Sequence, residues 1–271
     1  MSTSGSKAGN GTLYIGVSTK MYLGYQASLR WLSEVRSLVD DRPGLGTHSA
    51  ESPVRVFVIP SFPVLERASR ILAGSPVLLG AQNCAWGDGP LTGEVSPAML
   101  AELGVSLVEI GHAERRKLFA EDDAVVARKV RAAVGHALTP LLCIGEPDRL
   151  DAGAAAAFCV TQVRAATDGD PALFNRVVLA YEPVWAIGAQ EPAPPHHVNA
   201  VLARIREELG PACPLIYGGS AGPGLLPRLP AADGLFLGRF AHDAANLGRV
   251  LDEALLLRQT DAPANSSSSR S

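Results

Sequence analysis

Eight short apolar segments recur along the chain, and each has the length of a β-strand. They lie at 13–18, 54–59, 77–83, 106–111, 140–146, 177–182, 214–219 and 234–239. Hydrophobic residues follow one another in these segments with little alternation, which is typical of parallel strands that are covered on both faces. The pattern therefore predicts eight buried parallel strands.

Segments with the helical spacing of apolar residues separate these strands. They lie at 28–39, 63–72, 97–103, 124–137, 155–166, 196–209 and 247–259, with a short helix at 222–229. Six strands would already complete an open doubly wound sheet, so eight strand–helix units favour a closed barrel. We therefore predict an α/β fold, a single (β/α)8 barrel.

The two ends of the chain differ in composition from the part between them. Residues 1–11 and 261–271 are rich in small and polar residues and contain little to bury, so we predict disordered N- and C-terminal tails. Residues 12–260 contain no linker-like segment. We expect them to form one catalytic domain.

Charge and composition exclude several classes of function. The net charge of −3, with acids and bases interleaved, favours neither a nucleic-acid partner nor a membrane surface. The chain contains no apolar span and no recognisable targeting segment, so the cytoplasm is the expected location. The four cysteines lack the spacing of metal ligands and are expected to be buried and reduced. His196 and His197 would point about 100° apart on a helix, so we expect no metal there.

Glu182 is the most unusual residue of the apolar segments. It directly follows the hydrophobic residues 177–181 and precedes Pro183. Burial would remove water from this carboxylate, which raises its pKa and makes it a better base. A buried ion pair with an arginine or lysine is the alternative interpretation.

Further polar residues stand at strand ends, where a barrel enzyme carries its active site. Lys20 follows the first strand, and His112 and Glu114 follow the fourth. A solvated lysine and a structural histidine are the ordinary interpretations. At one rim, however, a carboxylate base would remove a proton beside a carbonyl while an ammonium and a neutral imidazole stabilise the enediolate. This chemistry needs no metal or cofactor.

Two glycine-containing segments follow the seventh and eighth strands. One carries Gly218, Gly219 and Ser220, and the other carries Gly238 and Arg239. Barrel enzymes often bind phosphate after these two strands, where backbone N–H groups and the N-terminus of a short helix meet the anion. The short helix predicted from residue 222 would supply such an N-terminus. A small phosphorylated ligand is the prediction.

From about residue 14 to residue 257 the chain resembles the triosephosphate isomerase family. The motifs that carry the resemblance are GAQNC (80–84), LTGEVSP (91–97), VEIGHAERR (108–116), LLCIGE (141–146), AYEPVWAIG (180–188) and YGGS (217–220). The resemblance implies a TIM barrel, a cofactor-independent sugar-phosphate isomerase and a homodimer.

The resemblance also implies catalytic roles. Glu182 would be the general base, His112 the electrophile, Lys20 the electrostatic partner of the substrate and Glu114 a buried acid behind them. Residues 183–188 would form a mobile lid that removes water from the site.

Other residues acquire binding roles from the same resemblance. The phosphate site would consist of Gly188, Gly218, Gly219, Ser220 and Gly238. Thr92 would lie at the tip of a loop that reaches the active site of the neighbouring subunit, as a symmetric dimer allows.

Four positions depart from the usual residues of the family. Ser18 stands in place of Asn, Ala113 in place of Ser, Ala189 in place of Thr, and Arg239 in place of a second Gly after Gly238. These changes alter the size and polarity of the substrate pocket, with Ser18 and Arg239 expected beside the substrate.

The sequence leaves the substrate open. The first interpretation is interconversion of dihydroxyacetone phosphate and D-glyceraldehyde 3-phosphate, which belongs to glycolysis and gluconeogenesis. The alternative keeps the mechanism and changes the substrate to a four-carbon ketose phosphate such as an erythrulose phosphate. A phosphate-binding relative without turnover and a Schiff-base aldolase using Lys20 are weaker alternatives, because the catalytic candidates are retained and nothing demands a depressed lysine pKa.

Overall fold

A computed structural model of the chain describes residues 11–45, 52–188 and 192–261. Ala189 lies outside the described residues, and so do the predicted tails except for residues 11 and 261. No helix in the described part of the chain is long and apolar enough to cross a membrane.

Eight parallel strands form a closed barrel, in which β1 pairs with both β2 and β8. The strands are β1 Leu13–Ser18, β2 Val54–Ile59, β3 Leu78–Ala81, β4 Leu107–Ile110, β5 Thr139–Ile144, β6 Val178–Tyr181, β7 Leu215–Tyr217 and β8 Gly234–Leu237. The prediction of a (β/α)8 TIM barrel is confirmed.

In the described residues, α-helices separate the strands everywhere except between β7 and β8. They are α1 Tyr25–Asp40, α2 Leu65–Leu72, α3 Pro97–Glu102, α4 Ala113–Leu118, α5 Asp123–Gly135, α6 Ala152–Ala166, α7 Pro171–Phe174, α8 Pro195–Leu209 and α9 Ala244–Asp261. The short helices α4 and α7 have six and four residues and contain no fully buried residue, so they are too short to show a helical periodicity in the sequence.

The prediction of a short helix at 222–229 is wrong. A three-residue 3-10 helix, Leu226–Arg228, forms there instead. Gly224 has a φ of +80°, and Pro223 and Pro227 have no N–H to donate to a helix. No helix N-terminus therefore begins at residue 222.

Strand side chains alternate between the barrel interior and the helices outside. The interior is filled by Phe57, Ile59, Leu107, Leu141, Cys143, Val178, Ala180, Ile216 and Phe236. Gly16 makes room for one of them, because a Cβ at Gly16 would lie 1.9 Å from the ring of Phe57. The filled interior leaves the carboxyl ends of the strands as the place for a ligand cavity.

Candidate active site

A cavity of about 890 Å³ opens at the carboxyl ends of the strands. Its lining includes every predicted catalytic and substrate-binding residue: Ser18, Lys20, His112, Glu114, Glu182, Gly188, Gly218, Gly219, Ser220, Gly238 and Arg239. Thr92 lies elsewhere, exposed between β3 and α3. The barrel thus brings together residues that are more than two hundred positions apart in the chain, such as Ser18 and Arg239.

Glu182 is the first residue after β6 and is 4% exposed. Its Oε2 lies 3.4 Å from Nε2 of His112, with no hydrogen-bond partner among the described residues. The alternative of an arginine or lysine ion pair therefore does not describe this residue. Burial, reinforced by the charge of Glu109, raises the pKa of Glu182 well above its usual range. Gly218 leaves room for this carboxylate, since a Cβ there would lie 2.5 Å from it.

His112 is held as a neutral imidazole. It stands at the N-terminus of α4, where its Nδ1 accepts a hydrogen bond of 3.1 Å from the backbone N–H of Glu114. Burial and the charge of Lys20 lower the pKa of His112 to about 4. The proton of the neutral ring therefore resides on Nε2, the nitrogen that faces Glu182.

Lys20 and Glu114 form an ion pair of 2.5 Å between Nζ and Oε1. Burial lowers the pKa of Lys20, but the hydrogen bond and charge of Glu114 outweigh it, so the pKa is raised. Lys20 has a φ of +46°, and its carbonyl accepts hydrogen bonds from Ser61 at 2.6 Å and Gln82 at 2.7 Å. These contacts hold the ammonium at the cavity.

The prediction that Glu114 is a buried acid is wrong. Its side chain is 45% exposed, because it lies in the first turn of α4, a helix without buried residues. The buried acid is Glu109 in β4, which is not among the residues predicted from the sequence. Glu109 is 4% exposed, lines the cavity and accepts a hydrogen bond of 2.9 Å from Ser18 Oγ. Burial raises the pKa of Glu109 to about 7.

A signal for Glu109 was present in the sequence. It is a charged residue inside the apolar segment at 106–111. Buried acids need hydrogen-bonding partners, so such a position indicates a site in the same way as Glu182 does.

A further part of the cavity wall consists of the loops after β7 and β8. Gly218, Gly219 and Ser220 follow β7, and Gly238 follows β8. Arg239 is exposed at the cavity mouth, with its guanidinium 5.5 Å from the centre of the Tyr22 ring. Glycine backbone and a guanidinium at one end of the cavity are suited to an anion.

The predicted lid, 183–188, contains a 3-10 helix at Val184–Ala186. Its Trp185 donates a hydrogen bond of 2.8 Å from Nε1 to Glu146 Oε1, which also accepts one of 3.1 Å from the Tyr181 hydroxyl. Ser220 Oγ donates to the carbonyl of Ala186 at 3.3 Å. Glu146, a fully buried acid after β5 that was not predicted, thus anchors this segment.

The remaining predictions concern metals and thiols. His196 and His197 lie in the first turn of α8, as expected. The four cysteines are buried and form no disulfide. In the ranges that the structure describes, no group of three or more His, Cys, Asp or Glu side chains is placed to hold a metal ion.

A barrel of parallel strands with a buried carboxylate, a neutral imidazole and an ammonium at its carboxyl end is the arrangement of a (β/α)8 enzyme that moves a proton beside a carbonyl. A family model described as triosephosphate isomerase matches residues 13–254. The chain therefore belongs to the triosephosphate isomerase family, and it is an isomerase of sugar phosphates.

Individual relatives carry two different names. The chain is 46% identical over 254 residues to the L-erythrulose-1-phosphate isomerase of Pectobacterium atrosepticum, which covers 90% of this chain and 96% of the relative. It is 39% identical over 249 residues to the triosephosphate isomerase of a Roseiflexus species, and the match covers 86% of this chain and 96% of the relative.

A solved structure agrees with the family assignment. The crystal structure of triosephosphate isomerase from Bartonella henselae is similar with a TM-score of 0.73 and 30% identity, covering 89% of this chain and 98% of that one.

Proposed function

We propose that the protein isomerises a four-carbon ketose phosphate, L-erythrulose 1-phosphate, by moving its carbonyl between C2 and C3. The observation that carries this choice is the 46% identity to an L-erythrulose-1-phosphate isomerase over 96% of that relative. The replacement of the family's usual Asn by the shorter Ser18 in the cavity lining supports it.

Glu182 is the proposed base. In L-erythrulose 1-phosphate, C3 carries one hydrogen, a hydroxyl and the terminal hydroxymethyl group. The carboxylate removes the C3 proton, and the electrons of that C–H bond form the C2–C3 double bond of an enediolate. Return of the proton to C2 restores a carbonyl, now at C3, which gives erythrulose 4-phosphate with no atom gained or lost.

Lys20 and His112 are the proposed electrophilic partners. The ammonium of Lys20 balances the negative charge that develops on the enediolate oxygens. The neutral ring of His112 can donate its Nε2 proton to one oxygen and accept the proton of the other. A glutamate base with a neutral histidine is already the established mechanism of this family. Glu114 keeps Lys20 charged and in place through their ion pair.

The proposed phosphate site is the glycine-rich side of the cavity. The backbone N–H groups after β7 and β8 and the hydroxyl of Ser220 would bind the phosphate oxygens. Gly188, whose φ is +72°, would bring the end of the lid over it. Arg239 would add a positive charge at the mouth.

We also propose a homodimer. Met21, next to Lys20, is 92% exposed. A large apolar side chain at this position would be covered by the exposed loop around Thr92 of a second copy.

Triose phosphate is the second candidate substrate. Glu182, His112 and Lys20 act on a carbonyl and its neighbouring carbon, which trioses and tetroses share. The 39% identity to a triosephosphate isomerase supports this reading.

Proton NMR in D2O tests the proposal. With purified protein and L-erythrulose 1-phosphate, we expect the 4-phosphate to appear and deuterium to enter at C2 and C3. Absence of both, in a preparation that converts glyceraldehyde 3-phosphate, would leave the triose as the substrate.

A further inference from the structure

We propose that Glu109 and Ser18 form a subsite that binds the terminal hydroxymethyl group of a four-carbon substrate and thereby selects tetrose over triose. The inference rests on the function proposed above. It assigns a task to the buried carboxylate of β4 that proton transfer itself does not use.

The two side chains meet at the inner wall of the cavity. Glu109 lies two residues after Leu107 in β4, and side chains two positions apart in a strand point to the same face. Leu107 fills the barrel interior, so Glu109 also points inward. Ser18, the last residue of β1, donates its hydroxyl to Glu109 Oε2 at 2.9 Å. Each residue is 4% exposed, yet both line the cavity.

Glu109 lies across the barrel from the loop after β8, whereas Ser18 ends β1, the strand that pairs with β8. In the order of the closed barrel, β4 lies opposite β8, which precedes Gly238. Glu109 lines the same cavity as Glu182, His112 and Lys20, and its charge adds to the effect of burial in raising the pKa of Glu182. Glu109 is therefore close to the position of the reacting carbons.

Substrate chemistry places the extra group at this wall. The fourth carbon of the tetrose is attached to the carbon from which Glu182 takes the proton, at the end remote from the phosphate. With the phosphate bound after β7 and β8, this hydroxymethyl group extends toward β4. A triose has only hydrogen there.

The chemistry of the pair suits a hydroxyl group. A buried carboxylate is costly unless several hydrogen bonds satisfy its lone pairs. Ser18 supplies one such bond, and the hydroxyl of the substrate supplies another. Serine is also shorter than the asparagine usual in the family, so it leaves volume for the added carbon.

Two variants of Glu109 test the subsite, with kcat/KM measured for L-erythrulose 1-phosphate and D-glyceraldehyde 3-phosphate. Glu109→Leu removes the acceptor at similar volume, and we expect the tetrose-to-triose ratio to fall about 10- to 100-fold, as for loss of a charged hydrogen bond. Glu109→Gln keeps a neutral acceptor and should give a smaller fall. Ser18→Asn, which fills the volume, should lower the same ratio independently.

Glu121→Gln is the matched control. Glu121 is a buried carboxylate that bonds to Arg115 and Lys129 and does not line the cavity. Its loss should leave the ratio unchanged even where stability falls, because both substrates use the same folded enzyme.

Wild-type rates separate failure of the subsite from failure of the proposed function. A wild-type protein that prefers the triose contradicts the proposed function and the subsite with it. A wild-type preference for the tetrose, with a ratio that Glu109→Leu and Ser18→Asn leave unmoved, overturns the subsite alone. Equal losses on both substrates in these variants would give Glu109 a purely structural role.

Discussion

Replacing Glu182 tests the assignment of the base. Glu182→Asp keeps the charge but withdraws the carboxylate by one carbon–carbon bond, about 1.5 Å. A misplacement of about 1 Å costs on the order of 100-fold in rate, so kcat/KM should fall at least that far. Glu182→Gln removes the base and should lower kcat/KM by about 100- to 10,000-fold, the usual contribution of general base catalysis.

Stability provides the control for these variants. The pKa of Glu182 is raised by burial, so its ionised form destabilises the folded state at neutral pH. Glu182→Gln should therefore melt at the same temperature as the wild type or higher. An enzyme-coupled assay of kcat/KM and a thermal melt on the same preparation distinguish loss of the base from loss of the fold. If Glu182→Gln keeps a tenth or more of the wild-type kcat/KM, another group is the base.

Three other variants test the pH dependence of stability, the pH profile of activity and the oligomeric state. Burial raises the pKa of Glu109 from 4.5 to about 7. As the pH rises through that range, the free energy of unfolding of the wild type should fall by about 3 kcal/mol relative to that of Glu109→Gln. A difference between the two proteins in urea unfolding that does not change with pH would contradict this. In Glu114→Gln, Lys20 loses the partner that raises its pKa, so the alkaline limb of the pH profile of kcat/KM should move to lower pH. An alkaline limb at the same pH would show that deprotonation of Lys20 does not set it. Thr92→Asp should turn a dimer into monomers in light scattering, and a wild type that is monomeric would refute the proposed interface.

Much of the barrel could be predicted from residue order alone. β1 and β2 begin and end at the predicted residues, because polar residues or proline flank their apolar segments. β7 ends at Tyr217, two residues earlier than predicted, since glycines extend the segment without joining the ladder. α4 and α7 could not be predicted, because six and four residues are too few to show a helical period.

The candidate site was predicted in its positions more than in its contacts. Glu182 was recognisable because an acid follows an apolar strand. The partner of Glu109 was not, because Ser18 lies 91 residues away and only barrel closure brings them to 2.9 Å. Exposure is equally non-local: the sequence does not show that the Glu114 side chain is 45% exposed and pairs with Lys20 at the cavity.

The most direct test of the central claim is kcat/KM of the wild-type protein on L-erythrulose 1-phosphate and on D-glyceraldehyde 3-phosphate, with the Glu182→Gln protein as the control for contaminating isomerase. We expect a preference for the tetrose of about 100-fold or more, since loss of a substrate hydroxyl leaves buried polar groups unpaired. A preference for the triose of that size would contradict the account and make the protein a triose-phosphate isomerase with an altered pocket.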